Sequence, residues 1–238
     1  MHRIQKIIAQ RGLCSRRKAE ELIRAGKVAV NKKIVSLGDQ ADPASDVITV
    51  DGKPLRPATT VYYMLHKPKG YITTSDDLYG RKKVLDLLPR SPRVFAVGRL
   101  DRYATGLLLL TNDGEFANKV MHPRFETSKT YLVTLDKPLE AGDRSRLIKG
   151  VVLEKSVVKA HIVVLKPTLV AVTVHVGLHK VIKRVFKSLG YIVKQLHRTH
   201  IGALAVDVSE GEFRTLSIDE LKLVFVKPRI TKKTFLEQ

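Results

Sequence analysis

An arginine and an aspartate stand two positions apart in a stretch with glycines on both sides. They are Arg99 and Asp101, with Gly98 before them and Gly106 after them, between two apolar runs. On an extended segment, residues two positions apart point the same way, and glycines let a ligand approach the backbone closely. An aspartate in this setting either forms an ion pair that closes a turn or acts as a nucleophile, and spacing alone favours the turn.

Short apolar runs separated by Gly, Pro and Asn-Asp turns surround this stretch. The patterns predict strands at 62–66, 94–97, 107–110, 131–135, 161–165, 169–174 and 192–196, and helices at 115–121, 142–149 and 179–189. Strand clusters with occasional helices and no regular alternation favour an α+β fold over a doubly wound one. We therefore expect a mainly antiparallel mixed sheet with flanking helices.

The N-terminal segment has a different pattern. Ile4, Ile7 and Ile8 share one helical face and Gly12 follows as a stop, while Ser15 can cap a second helix that runs to residue 25. Short strand patterns follow, up to the turn at 51–52. We predict a small first domain at 1–55, a linker at 56–60, and a second domain at 61–238 that ends in a basic C-terminal tail.

Charge points to a polyanionic partner. The 238 residues carry 43 Lys or Arg against 23 Asp or Glu, a net charge of +20. The first 33 residues hold ten basic residues and two acidic ones, and residues 155–206 hold nine basic residues and no acidic one. Because no apolar run reaches membrane-spanning length, nucleic acid is favoured over lipid. The single cysteine, Cys14, excludes an intramolecular disulfide and a Cys-cluster zinc site, and it fits a cytoplasmic protein.

The basic N-terminal segment resembles the S4 RNA-binding module from Arg3 to Gly38. The resemblance rests on Arg3-Ile4-Gln5-Lys6, on the Ser15-Arg16-Arg17-Lys18 run, and on residues 26–31. A helix that begins at Ser15 presents backbone N–H groups and basic side chains to phosphates. We predict RNA contacts from Arg3, Lys6, Arg16, Arg17, Lys18 and Lys27 in this module, and from Lys180, Arg184 and Arg198 in the second domain.

The stretch from 97 to 114 is similar to the active-site motif of pseudouridine synthases, specifically the RsuA-like group that acts on ribosomal RNA and begins with an S4 module. Further matches follow in the family's order at 66–70, 122–123, 129–131 and 177–202. The resemblance implies an isomerase that converts a specific uridine in ribosomal RNA to pseudouridine. It implies no cofactor and no metal.

The resemblance also assigns roles to site residues. Asp101 corresponds to the nucleophile, which attacks either the sugar or the ring of a flipped-out uridine, and Tyr131 to the tyrosine that stacks on the base. An ionised carboxylate in a dry pocket requires a cation beside it. Lys183 aligns with the pairing position, and Arg99 is the second candidate for pairing or positioning.

Four positions depart from the family pattern. Tyr103 and Ala104 replace the usual Asp and Thr, and Val176 and Val181 replace polar residues. These departures leave an alternative open, a non-catalytic S4-type protein that binds RNA or assists ribosome assembly.

Two weaker signals were weighed against this interpretation. Residues 200–203 resemble a nucleotide-binding signature of class I tRNA synthetases, but the parallel α/β context and the later lysine-rich loop that this signature needs are missing. The Gly-rich phosphate loops of nucleotide-binding folds are also missing, which argues against a helicase or a kinase. His175 and His179 lack neighbouring carboxylates or thiols in sequence, which predicts no metal site. We expect a monomer whose partner is structured ribosomal RNA, either a hairpin or an assembly intermediate.

Overall fold

The computed structural model describes residues 1–75, 77–154 and 156–235 of the chain. They form two units, one from residues 1–61, 89–95 and 111–114, and one from the remainder. Of the predicted second domain, residues 76, 155 and 236–238 lie outside the described part. The predicted domain boundaries stay a prediction. None of the helices in the described part combines the length and apolarity needed to cross a bilayer.

The first unit packs two helices against short antiparallel strands. Its elements are β1 (His2–Arg3), α1 (Ile4–Gln10), α2 (Arg16–Arg24), β2 (Val28–Val30), β3 (Lys33–Ile34), β4 (Gln40–Ala41), β5 (Ile48–Val50) and β6 (Lys53–Pro54). One sheet has the order β3-β2-β5-β6, and β1 pairs with β4. Ile4, Ile7 and Ile8 are buried in the core as predicted, and Ser15 Oγ accepts from Lys18 N–H at 3.2 Å to cap α2.

The second unit is built on a larger sheet. Its elements are β7 (Tyr62–Lys67), β8 (Phe95–Val97), β9 (Thr105–Thr111), α3 (Gly114–Met121), β10 (Lys129–Leu135), α4 (Ala141–Lys149), β11 (Val151–Leu153), β12 (Ser156–Val158), β13 (His161–Lys166), β14 (Leu169–Val174), α5 (Val181–Ser188), β15 (Val193–Ile201), β16 (Leu204–Ala205), β17 (Phe213–Thr215) and α6 (Ile218–Leu223). The sheet has the order β13-β14-β10-β15-β9-β7-β17, with β16 on β15 and β8 on β9. The β15–β9 pair is parallel, whereas β10 pairs antiparallel with both of its neighbours. The sheet is therefore mixed, and the predicted α+β class is confirmed.

Most predicted elements of the second unit are shifted by one or two residues at an end, and for two of them the difference has a clear physical reason. β15 continues to Ile201 rather than ending at residue 196, because its polar residues pair with β10 and β9 inside the sheet. α5 begins at Val181 rather than at residue 179, because Lys180 has a left-handed backbone with φ of 50°. The β11–β12 hairpin, β16, β17 and α6 were not predicted, since each is short.

Candidate active site

The loop between β8 and β9 carries the charged pair that the sequence singles out. Gly98 has φ of +77°, which turns the chain out of β8. Leu100 is buried, whereas Arg99 and Asp101 on either side of it line the same cavity. The alternation of the three residues thus brings both charges to one open space.

This cavity has a volume of about 490 Å³. It is lined by the loop, by the end of α3, by β10 and β15, and by the segment that leads into α5. Its lining residues are Ala96, Val97, Gly98, Arg99, Asp101, Val120, Met121, Lys129, Tyr131, Val176, Gly177, Leu178, His179, Lys180, Val181, Arg198 and Ile201. The size lies within the range of small-ligand sites.

Asp101 faces a lysine on α5. Lys183 Nζ lies 3.3 Å from Asp101 Oδ2, and the two side chains are 34 % and 23 % exposed. The other face of α5 buries Val181, Ile182, Val185 and Phe186, so packing of the helix fixes where Lys183 projects. No ion pair joins Arg99 to Asp101 within the described residues, and Lys183 is the cation that compensates this carboxylate.

A buried lysine donates hydrogen bonds to the backbone of the loop between β8 and β9. Lys67, at the end of β7, donates from Nζ to the carbonyl oxygens of Ala104 at 2.7 Å and Arg102 at 3.4 Å. Thr73 Oγ1 donates to Leu100 O at 2.9 Å. Burial lowers the pKa of Lys67 to about 8, and the nearby charge of Asp101 opposes that shift. Lys67 lies in the matching segment 66–70, but no role was predicted for it. Its place at the end of an apolar strand, directly before a proline, was the sequence signal that could have indicated its burial.

Tyr131 and a second lysine face the cavity from β10. Tyr131 is largely buried, and its remaining surface belongs to the cavity lining. Lys129, two residues earlier on the same face, donates from Nζ to Thr127 O at 2.8 Å and Val120 O at 3.3 Å. Burial lowers the pKa of Lys129 to about 8, and the positive charge of Arg198 adds to the shift. No role had been predicted for Lys129.

Arg198, one of the predicted RNA-contacting residues, is buried. It is 4 % exposed, and its Nε donates to Leu107 O at 2.6 Å. The backbones of Gly106 on β9 and Arg198 on β15 also approach each other closely where the two strands pair. A Cβ added to Gly106 would lie 2.2 Å from Arg198 O. Any contact of Arg198 with RNA is therefore confined to the cavity. Long charged side chains usually lie at the surface, and no local sequence pattern signals this burial.

The departures from the family pattern have structural counterparts. Ala104 is buried, and its carbonyl oxygen accepts a hydrogen bond from Lys67 Nζ. Its methyl side chain, unlike that of the usual threonine, has no hydroxyl that needs a hydrogen-bond partner. Tyr103 is 61 % exposed beside the Arg102 guanidinium. Val181 is buried and Val176 half-buried in the cavity lining. Of the four departures, Val176 and Val181 line the cavity and change its wall, and the ion pair of Asp101 and Lys183 is retained.

The other predicted RNA contacts lie on the surface. In the first unit, Arg3, Arg16, Arg17, Lys18 and Lys27 are exposed and Lys6 is half-buried. Lys18 pairs with Glu21 at 2.8 Å and Lys27 with Asp51 at 3.4 Å. In the second unit, Lys180 is exposed at the cavity, and Arg184 pairs with Glu154 at 2.6 Å. Their roles in RNA binding stay predictions, as do the catalytic roles of Asp101, Lys183, Tyr131 and Arg99.

Comparison with known proteins identifies both parts of the chain. A family model for RNA pseudouridylate synthases matches residues 61–199, and one for the S4 domain matches residues 2–48. An uncharacterised RNA pseudouridine synthase of Aquifex aeolicus is 40% identical over 234 residues, covering 94% of this chain and 93% of the relative. The Bacillus subtilis ribosomal large subunit pseudouridine synthase B is 39% identical over 231 residues, covering 93% and 95%.

A solved structure agrees with these relatives. The crystal structure of a pseudouridylate synthase superposes with a TM-score of 0.70 and 31% identity, covering 94% of this chain and 100% of that one. The similarity extends over the catalytic domain as well as the S4 domain, which favours an enzyme over a non-catalytic S4 protein. The chain belongs to the RNA pseudouridine synthases, isomerases of RNA, with an S4 domain followed by the catalytic domain.

Proposed function

We propose that this enzyme isomerises a specific uridine in ribosomal RNA, with Asp101 as the nucleophile and the uridine flipped out of the RNA into the cavity. One observation carries the proposal. Asp101 lies 3.3 Å from Lys183 in a cavity that Tyr131 also lines. A carboxylate, its compensating cation and an aromatic ring are the groups that this reaction needs.

The chemistry balances without a cofactor. The C1′–N1 bond breaks and a C1′–C5 bond forms, while C5 loses a proton and N1 gains one. The Asp101 carboxylate attacks either C1′ of the sugar, which leaves the sugar bonded to the enzyme and the detached base free to turn in the cavity, or the ring, which leaves the base bonded to the enzyme while it turns. Lys183 compensates the negative charge of the waiting carboxylate as a single point charge, without the two-pronged geometry of an arginine.

Flipping supplies access to the target base. A stacked and paired uridine conceals its ring, so an enzyme that acts on it draws it into a pocket. A volume of about 490 Å³ accommodates a nucleotide. The ring of Tyr131 offers a face on which a pyrimidine can stack, worth about 1–3 kcal/mol per base in single-stranded RNA complexes.

Ribosomal RNA is the proposed substrate because the Bacillus subtilis relative, similar over almost its whole length, is named for the large ribosomal subunit. The exposed Arg16, Arg17 and Lys18 on α2 suit phosphates of a structured hairpin or an assembly intermediate. Such contacts supply affinity and orientation and do not read the base sequence.

Release of tritium from C5-labelled uridine tests the proposal with purified components. Transcripts of both ribosomal RNAs and of tRNA are incubated with wild type, with Asp101→Asn, and with Asp219→Asn as a surface control, since Asp219 is an exposed residue paired with Lys222. We expect wild type and Asp219→Asn to release tritium from a ribosomal RNA, and Asp101→Asn to release none while its RNA affinity stays within about twofold, because phosphate contacts dominate affinity. Release by Asp101→Asn would refute the nucleophile, and release from tRNA alone would refute the substrate.

A further inference from the structure

A buried arginine in the cavity wall has hydrogen-bonding capacity that the protein does not use. Arg198 is 4 % exposed, and its Nε donates to Leu107 O at 2.6 Å. Its Nη2 is buried and has no partner among the described residues. Arginine stays charged in proteins, and a buried donor without an acceptor destabilises the folded state. Such a donor indicates an acceptor that arrives with a ligand.

Strand register directs this side chain towards the cavity. Arg198 on β15 stands opposite Tyr131 on β10, and Lys129 stands opposite Ile201, with a bulge between the two pairs. Residues that face each other across antiparallel strands point to the same side, and Lys129 and Tyr131 are two positions apart on one strand. All four residues line the cavity, so Arg198 belongs to its wall.

The charged and apolar residues of this wall indicate which ligand chemistry fits beside Arg198. Arg198 and Lys129 lie close enough for the charge of one to lower the pKa of the other. Asp101 is the one carboxylate among the described lining residues, and it faces Lys183. Apolar side chains, including Val97, Val120 and Met121, make up much of the remainder. Arg99 and Lys180 also line the cavity but are exposed, so they suit the phosphate of the nucleotide. Arg198 is buried beside these apolar side chains, which favours a flat, uncharged ring with carbonyl acceptors at its position.

We propose that the guanidinium of Arg198 donates a hydrogen bond to a carbonyl oxygen, O2 or O4, of the target uracil, and is a further catalytic residue. This inference rests on the proposed function. In the sugar route, Asp101 displaces uracil from C1′, and the electron pair of the broken C1′–N1 bond spreads over N1, O2 and O4. C5 then uses this pair to attack C1′ and displaces Asp101, the C5–H pair returns to the ring as that proton leaves, and N1 gains a proton. Attack on the ring likewise places negative charge on a carbonyl oxygen. A fixed cation at that oxygen stabilises the transition state more than the ground state.

Sulfur-substituted substrates test the contact directly, because sulfur accepts hydrogen bonds weakly. The probe is a synthetic hairpin with the uridine that wild type modifies, in three forms: uridine, 2-thiouridine and 4-thiouridine. Single-turnover rates and dissociation constants are measured for wild type, Arg198→Met and Arg198→Lys. Arg146→Met is the matched control, since Arg146 is an exposed arginine paired with Asp143 on α4 and does not line the cavity. Thermal unfolding of each variant accompanies the kinetics.

With uridine, we expect Arg198→Met to lower the rate by about 10²–10³-fold, the effect of removing one such donor, with RNA affinity within about twofold, while Arg146→Met matches wild type. One thio form should slow wild type by about tenfold or more and slow Arg198→Met and Arg198→Lys much less, because coupled groups are not additive. Equal rates of wild type on all three hairpins would overturn the proposal without any variant. Equal slowing of wild type and both Arg198 variants by the thio forms would also overturn it, and a loss of affinity at unchanged rate would assign Arg198 to a phosphate. If wild type does not convert the uridine hairpin at all, the proposed function itself fails.

Discussion

Gly106→Ala should destabilise the protein more than an alanine substitution at another glycine with a similar positive φ. Gly106 has φ of +103°, and an added Cβ would lie 2.2 Å from Arg198 O and 2.6 Å from Arg198 N. Cβ contacts under 3.0 Å essentially do not occur, and both obstructing atoms are backbone, so β9 and β15 must separate. The change therefore combines backbone strain with overpacking between two paired strands.

The magnitude follows from these two effects. A non-glycine residue at this φ is strained by about 1–3 kcal/mol, and overpacking adds about 1–3 kcal/mol, giving a loss of about 2–6 kcal/mol. Domains are stable by only about 5–15 kcal/mol, so the variant should lie near the limit of folding. Gly70→Ala is the matched control, since Gly70 has φ of +93° and nothing within 4 Å of an added Cβ; it should show the strain alone, about 1–3 kcal/mol.

Urea unfolding of wild type, Gly106→Ala and Gly70→Ala measures both effects with one assay. We expect the midpoint to fall for both variants, and to fall further for Gly106→Ala. Equal losses in the two variants would refute the reasoning, because they would mean that the close approach of β9 to Arg198 does not constrain the sheet.

Three more predictions concern charge. Lys67 has a folded-state pKa of about 8 against 10.5, so between these pH values the unfolded chain binds more protons and stability rises with pH, by up to about 3 kcal/mol from this residue. Urea unfolding from pH 7 to 10.5 should show a smaller rise in Lys67→Met than in wild type, the rise that remains coming in part from Lys129, and parallel curves would contradict this expectation. Lys183→Met removes the salt-bridge partner of the Asp101 carboxylate and should slow single-turnover isomerisation about 10–100-fold, the equivalent of one charged hydrogen bond. Lys183→Arg keeps the positive charge and should retain more activity. An unchanged rate of Lys183→Met would show that Lys183 has no role in the reaction. RNA affinity should fall steeply with salt, and replacing Arg16 and Arg17 with alanine should reduce the slope of log affinity against log salt by about 1–2; an unchanged slope would exclude these residues from phosphate contact.

The fold was largely predictable because its patterns are local. Alternating apolar residues gave most strands of the sheet, and Ser15 and Gly12 marked helix ends by their own chemistry. Two boundaries escaped prediction for physical reasons. The polar residues of β15 are placed by strand pairing that no local pattern reveals, and the left-handed backbone of Lys180 delays the start of α5.

Site residues that lie in a recognisable motif could be predicted from the sequence. Site residues whose burial depends on distant parts of the chain could not. Asp101, Lys183 and Tyr131 were singled out from the sequence, and the structure brings all three together at one cavity or ion pair. Lys67, Lys129 and Arg198 are long charged side chains, which composition assigns to the surface. Their burial depends on carbonyl groups and strands far away in sequence, such as Ala104 for Lys67 and Leu107 for Arg198.

Mapping of pseudouridine at single-nucleotide resolution in ribosomal RNA tests the central claim most directly. Ribosomal RNA is compared from cells that lack this protein and from the same cells supplied with wild type or with Asp101→Asn at equal protein level. We predict one position that is pseudouridine with wild type and uridine both without the protein and with Asp101→Asn. A map that is identical in all three strains, or one that Asp101→Asn restores, would contradict the account.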